Sequence, residues 1–464
     1  MTASSALHRT ITQGTPRTRR GVELLLLAFA LAIVMLAYAN VGLAIQGRLP
    51  PDLLTLGIGF GVVALALHLL VRWQAAYADP VLLPVATLLN GLGLVMIHRL
   101  DLAKGKDLAD GAAVRQLFWT GISVLAAGAL LVIVRDHRRL GQYIYTFALV
   151  GLGLLLLPLT PILGRNVNGS RIWIGVGPLS FQPSELAKIA VIIFFAGYLV
   201  QKRDALSLVG RRILGFPLPR ARDLGPIILA WLASLAVLVF ESDLGTSLLF
   251  FGLFVSLLYV ATERRSWIII GLTLFMAGCY AAYLLFAHFR VRVDLWINPF
   301  NTGLSDQLAL GLMGMGSGGM LGTGLGQGRP DLTYFANSDF IVPSFGEELG
   351  LVGLIAIIML YAILVERGLR AGIAARDGFG KLLATGLGFS IALQVFVVIG
   401  GVTRVIPLTG LTTPFMSAGG SSLFANWIIV ILLMRISDQA RRPTPEDSGP
   451  SQIGSADTQA LRLR

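Results

Sequence analysis

The sequence predicts an all-α polytopic membrane protein of about twelve transmembrane helices, with a long outward-facing loop and a re-entrant hairpin before the last helix. Hydrophobic residues fill 55% of the 464 positions and charged residues only 13%, about half the charged content of a soluble globule. Mean hydropathy is +0.76. Apolar runs long enough to cross a bilayer, roughly 20 residues each, recur along the whole chain.

A cytoplasmic N-terminal tail, 1–21, precedes the first run, 22–45. That run is too long for a signal-peptide core and no small-residue cleavage site follows it, so it reads as a retained helix. Further spans are expected at 53–72, 80–98, 115–134, 143–164, 184–201, 224–241, 244–262, 266–287, 345–366, 380–402 and 419–436. Residues 22–79 then hold two helices ahead of a membrane domain at 80–437. The polar, proline-bearing stretch 438–464 reads as a disordered cytoplasmic tail. With both termini cytoplasmic, most Lys and Arg fall on inner segments, Arg135, Arg138, Arg139, Arg264, Arg265, Arg367 and Arg370 among them, as the positive-inside rule requires in a plasma membrane. The net charge of +12 is therefore a topology signal with an attraction for anionic lipid, and nucleic acid drops out as a partner. The single Cys279 has no disulfide mate, and the five scattered histidines form no ligand pair at helical spacing, so no built-in metal site is expected.

Three outward segments, 165–183, 288–344 and 403–418, carry unusual polarity and should converge above the membrane. In the first, Arg171 and Trp173 offer a cation beside an aromatic, although an interfacial belt is the commoner use of tryptophan. Ser184 can cap the next helix, and Glu185 and Lys188, three apart, share one face of it. Ionisable groups at the end of a span point into a bundle or a wet cavity, so this pair is either a structural ion pair or a substrate contact. Asp243 opens the span at 244–262 as a helix cap, and is a candidate to line the same cavity.

The stretch 288–344 is too long to be idle. It begins with Arg290 and Arg292 and continues through glycines from Gly303 to Gly328, which allow close backbone approach to a ligand or a flexible, gating flap. Asp339 follows, flanked by Phe340 and Ile341 where the chain re-enters the membrane. Partial desolvation there would raise its pKa and suit a general base; the alternative is a cap on the tenth span. The third segment holds Arg404, two prolines and three glycines, and irregular backbone at membrane depth needs protein or a cavity to satisfy it. Ser417 to Ser422 can form a nest for phosphate oxygens, or Ser421 can cap the last helix.

Read together, NGSRIWI from Asn168, FQPSELAK from Phe181, SDLGTSLL from Ser242, INPF from Ile297, GTGLGQG from Gly322, NSDFIV from Asn337, GEELGLVG from Gly346 and PLTGLTTPFMSAGGSS from Pro407 resemble the SEDS (shape, elongation, division and sporulation) family of RodA, FtsW and SpoVE, over about Leu83 to Ile436. The chain is most similar to the actinobacterial RodA type, with two helices ahead of the usual ten. It departs from the family at Asn337-Ser338, often His-Thr, at Ala418, often Tyr, and at Ser305-Asp306-Gln307. The resemblance implies a peptidoglycan glycosyltransferase that polymerises lipid II at the outer membrane face for cell elongation and shape, with a class B penicillin-binding protein as partner. It places the essential loop acid on Asp339, the cavity pair on Glu185 and Lys188, and a further acid on Asp243.

Such a reaction expels polyprenyl diphosphate, which leaves already anionic, so one base suffices where a glycosidase needs two carboxylates. The growing negative charge calls for cations, here Lys188, Arg171, Arg290, Arg292 and Arg404 in that order of preference. A Mg²⁺ or Mn²⁺ ion bridging the diphosphate and Asp339 is compatible with this chemistry, though no motif demands one. The rival readings are a lipid II flippase or transporter, for which twelve spans and a discontinuous hairpin also serve, and a non-catalytic scaffold for a transpeptidase.

Overall fold

The computed structural model describes residues 18–106, 111–167, 170–176, 179–203, 243–300 and 306–443, with scattered positions between 212 and 236. Most of the expected span 224–241, both terminal tails up to 17 and from 444, and the Ser305 departure lie outside the described residues.

The chain runs through α1 (Arg20–Gln46), α2 (Leu53–Gln74), α3 (Leu82–Ala103), α4 (Ala112–Ile133), α5 (Ile144–Leu156), β1 (Gly164–Val167), β2 (Ser170–Val176), β3 (Leu179–Phe181) and α6 (Pro183–Gln201). It continues with α7 (Leu244–Thr262), α8 (Ser266–Leu285), α9 (Ala287–Ile297), α10 (Gln307–Gly318), α11 (Ile341–Ala374), α12 (Gly378–Val402) and α13 (Gly420–Arg441). Among the described residues, ten of these helices are long and apolar enough to cross a membrane. α5 is shorter than the expected 143–164, because at Pro158 the chain tightens into a 3₁₀ turn, Leu157–Leu159, where proline has no N–H to continue an α-helix.

Helices apolar all round belong in the middle of a bundle. α6 and α13 fit this, with 89% and 83% of their spans buried against 6% for α8, which stands at the periphery. Every residue of α6 from Ala187 to Leu199 is buried, so the start of α6, with Glu185 and Lys188, opens at the centre of the molecule.

The all-α architecture of the membrane domain holds. Between α5 and α6 it carries a short antiparallel meander that the sequence did not announce, β1-β2-β3, in which Arg165 pairs with Trp173 and Ile174 with Phe181. The run Ile172-Trp173-Ile174 is β-branched and aromatic, which favours a pleated, half-buried surface. The expectation of a flexible flap at 288–344 needs correction among its described residues. The stretch holds α9 and α10, and the backbone beyond α10 is bonded to α11: Thr323 N–H donates to Glu347 O and Gly324 N–H to Glu348 O, both at 3.0 Å, while Leu351 N–H donates to Gly319 O at 3.0 Å. These groups are free to pair because α11 breaks at Gly350 (φ 66°, ψ −168°), a conformation open only to glycine. A Cβ at Gly322 would lie 2.2 Å from Glu348 O. Glycine here locks two backbones together instead of loosening one.

Residues 403–419 are irregular, exposed at 403–405 and buried from Thr413 to Ser417, and side chains satisfy their backbone. Tyr361 donates to Pro414 O, Gln394 Nε2 to Thr412 O at 2.9 Å, and Gln116 Nε2 to Ser417 O at 3.0 Å. At the opposite end of the bundle a second polar set ties α1 and α2 to α13. Glu23 joins Arg20 and His68, and the 77–79 turn donates to Asp438 and Ser437.

Candidate active site

Within the first two turns of α6, Lys188 Nζ lies 2.9 Å from Glu185 Oε2 and donates to Gln394 Oε1 at 2.8 Å. Gln394 in turn holds Thr412 O, so this buried pair braces the irregular 403–419 segment from below. α6 starts at Pro183, whose missing N–H suits a first helical position. Ser184 therefore does not cap it: the cap position is Gln182, and the Ser184 hydroxyl is buried with no hydrogen-bond partner among the described residues.

Asp243 caps α7 as expected, accepting from Thr246 N–H at 3.0 Å and the Thr246 hydroxyl at 2.6 Å. It also accepts from Gln182 Nε2 at 3.4 Å, which joins the start of α7 to the start of α6. Burial raises its carboxyl above the ordinary value, against the Thr246 bonds and the Arg292 charge that hold it down.

α9 brings Arg292 over this point. Its Nη1 donates to Thr409 O at 3.0 Å. A Cβ on Gly410 would sit 3.7 Å from Arg292 Nη2 and 3.8 Å from Asp339 Oδ2, so the guanidinium and the carboxylate flank the same glycine. Asp339 is half-buried. Burial lifts its carboxyl to about 7, with Arg292 opposing and Asp243 adding to the rise. It does not cap α11, whose cap position is Phe340 without a side-chain bond. Its loop is seated on the third segment: Ala418 N–H donates to Asn337 O at 2.7 Å, and the Ser417 hydroxyl to Ser338 O at 2.6 Å.

The structure thus gathers Asp339, Arg292, Asp243, Glu185 and Lys188 at one end of the bundle. Other expected residues stand elsewhere or are occupied. Arg290 is exposed. Arg404 donates to Trp296 O and Ile297 O, both at 3.1 Å, and so closes the end of α9 instead of standing free as a cation. Ser417 also accepts from Thr413 N–H at 2.8 Å, so its hydroxyl shapes the loop. Ser421 is buried in the first turn of α13 and is not its cap, which is Gly419. On β2, Arg171 is exposed and Trp173 half-buried, and neither is among the groups that meet Asp339. Sequence reasoning missed Gln394, although a lone amide inside the apolar run 380–402 signals a polar contact within a bundle.

No group of three or more His, Cys, Asp or Glu side chains among the described residues is placed to hold a metal. What the cluster can do is take a proton at Asp339 and offset negative charge at Arg292.

Residues 80–442 match the family of cell cycle proteins FtsW, RodA and SpoVE. The chain is 48% identical over 452 residues to the peptidoglycan glycosyltransferase RodA of Mycobacterium tuberculosis strain H37Rv, covering 96% of each chain. It is 36% identical to the probable peptidoglycan glycosyltransferase FtsW of Nitrosococcus halophilus, over 79% of this chain and 93% of that one. Among solved structures, one describing coordination of polymerization and crosslinking by a peptidoglycan synthase complex superposes with a TM-score of 0.64 at 27% identity, over 79% of this chain and 99% of the other.

Proposed function

The chain belongs to the family of FtsW, RodA and SpoVE cell cycle proteins, and from that membership we propose how its carboxylate cluster works. It is a peptidoglycan glycosyltransferase built on a multi-pass, α-helical membrane domain. The substrate proposed is lipid II. The 4-hydroxyl of one disaccharide attacks the anomeric carbon of another, its proton passes to Asp339, and the bond to polyprenyl diphosphate breaks as the diphosphate leaves. Arg292, beside Asp339 across Gly410, offsets the charge that grows on the leaving group. Lys188, tied to Glu185 and Gln394, holds the floor of the site and stands second for the same task. Arg171, Trp173 and Arg290 are proposed as outlying contacts for sugar or headgroup.

One observation carries this reading: a half-buried carboxylate, raised to about 7, faces a guanidinium and is not spent as a helix cap. That is the state a general base needs near neutral pH. Asp243 is already engaged by Gln182 and Thr246, so the residues form no protein cage for a cation. Mg²⁺ binds well through one carboxylate plus substrate phosphates. Asp339, together with substrate phosphate oxygens, would hold a Mg²⁺ or Mn²⁺ ion, which would supply charge neutralisation for the diphosphate.

The cluster is assigned to the extracytoplasmic face of the plasma membrane, with both termini in the cytoplasm, which the distribution of basic residues supports. Growth of the wall during elongation, with a class B penicillin-binding protein as crosslinking partner, follows from the resemblance to RodA and to the synthase complex. Purified protein in detergent with lipid II tests the activity. A glycan ladder on a gel is expected; lipid II left as monomer, or flipping in vesicles that Asp339→Ala leaves unchanged, would favour the transporter.

A further inference from the structure

We infer that α1, which lies ahead of the family domain, is a positioning element for the segment carrying Asp339, acting through Leu325 and Gly326. The inference rests on the reading of Asp339 as the base.

The backbone between α10 and Asp339 passes over the end of α1. Leu325 packs on an apolar cluster formed by Val34, Tyr38 and Val41 of α1, Phe60 of α2 and Val95 of α3, and it also touches the main core. It is the side chain of that segment that bridges the two. Next to it, Gly326 (φ +83°) runs so close to α1 that a Cβ there would lie 2.9 Å from Ala44 Cβ and 3.3 Å from Ile45 Cγ1. The same point is clamped from the other side. Gly326 N–H donates to Glu348 Oε2 at 3.0 Å, and Glu348, fully buried, pairs with the buried Arg99 of α3. Arg99 donates in turn to Gly328 O at 2.5 Å, and Arg329 N–H to Glu347 Oε1 at 2.5 Å. Arg329 is thereby tied to Glu347, and Gly328 through Arg99 to Glu348, at the base of the excursion that contains Asp339, and the base leans on α1.

α1 and α2 stand outside the domain shared with the wider family, which begins at residue 80. The FtsW relative covers 93% of its own length with 79% of this chain, whereas the mycobacterial RodA spans 96% of it. Anchoring does not require them, because among the described residues eight further helices are able to cross the membrane. A buttress under a loop whose position sets the rate is a use that fits their contacts, since a misplacement of about 1 Å at a reacting group costs on the order of 100-fold in rate.

The test uses the full chain and measures kcat and KM for lipid II polymerisation, with amide hydrogen exchange of residues 334–340, in Leu325→Ala, Leu325→Met and Ala44→Leu, beside an Asp339→Asn control. Leu325→Ala is expected to lower kcat about 10-fold with KM within about twofold, the pattern of a lost transition-state alignment, and to speed exchange at 334–340. Leu325→Met should restore both. Ala44→Leu, on the exposed edge of α1, should lower kcat similarly, and combined with Leu325→Ala should lose less than the product of the two, as residues sharing a contact do. If Leu325→Ala fails to fold, Ala44→Leu alone decides. Unchanged kcat in the folded variants, whatever the exchange, overturns the inference while a dead Asp339→Asn leaves the base standing. Polymerisation by Asp339→Asn would instead sink the base, and the exchange rates would still report whether α1 holds the loop.

Discussion

At the scale of single residues the account turns on opposed influences on one carboxyl. Burial lifts Asp339 to about 7 and Arg292 restrains the rise. A base works only when ionised, so kcat/KM should climb about tenfold per pH unit below about 7 and level off above it; a flat profile from pH 5 to 9 would contradict this. Arg292→Gln removes the restraint, so the limb should move to higher pH, and the rate on its plateau should fall about 100-fold as a charge-stabilising donor is lost. Asp339 was legible in the sequence because an acid followed directly by Phe340 and Ile341 at a membrane re-entry is desolvated wherever the loop goes. Arg292 was not separable from Arg290 and Arg404. Two residues apart on a helix point to different sides, but which side faces the acid depends on how α9 lands on Thr409, a contact 117 positions distant in the chain.

At the scale of elements, one stretch does the reverse of what its composition suggests. A glycine-rich, polar stretch has low helix propensity and reads as a loop; what fixes it is non-local pairing with the broken α11, invisible to any local pattern. Gly350→Ala should therefore destabilise the protein by about 1–3 kcal/mol, since the added methyl meets Gly322 N at 2.3 Å. Gly316→Ala, in the same stretch with open space around it, should be neutral or slightly stabilising. Thermal unfolding of the two variants in detergent checks the contrast, and equal melting temperatures would refute the locked packing. The β1-β2-β3 meander escaped notice for a related reason: its strands are only three to seven residues long, too short for period-two alternation to stand out against flanking apolar runs.

The whole molecule separates two jobs by its two ends. Bilayer thickness fixes span length, which is why the ten long helices among the described residues coincide with expected runs although their mutual packing could not be read. At the end away from the site, Glu23 is fully buried between Arg20 and His68, and Arg20, which also donates to Ala78 O, fastens the N-terminal pair to the turn before α3. Glu23→Ala leaves a buried guanidinium short of a partner, and a loss of about 3 kcal/mol of stability is expected, read as earlier unfolding with the rate per folded molecule kept. At the site end, convergence of three segments that are far apart in sequence makes one carboxylate answerable for the chemistry. The most direct measurement is glycan synthesis from purified lipid II by Asp339→Asn protein that elutes and melts like the unaltered chain. No polymer is expected; glycan strands made at the normal rate would contradict the account.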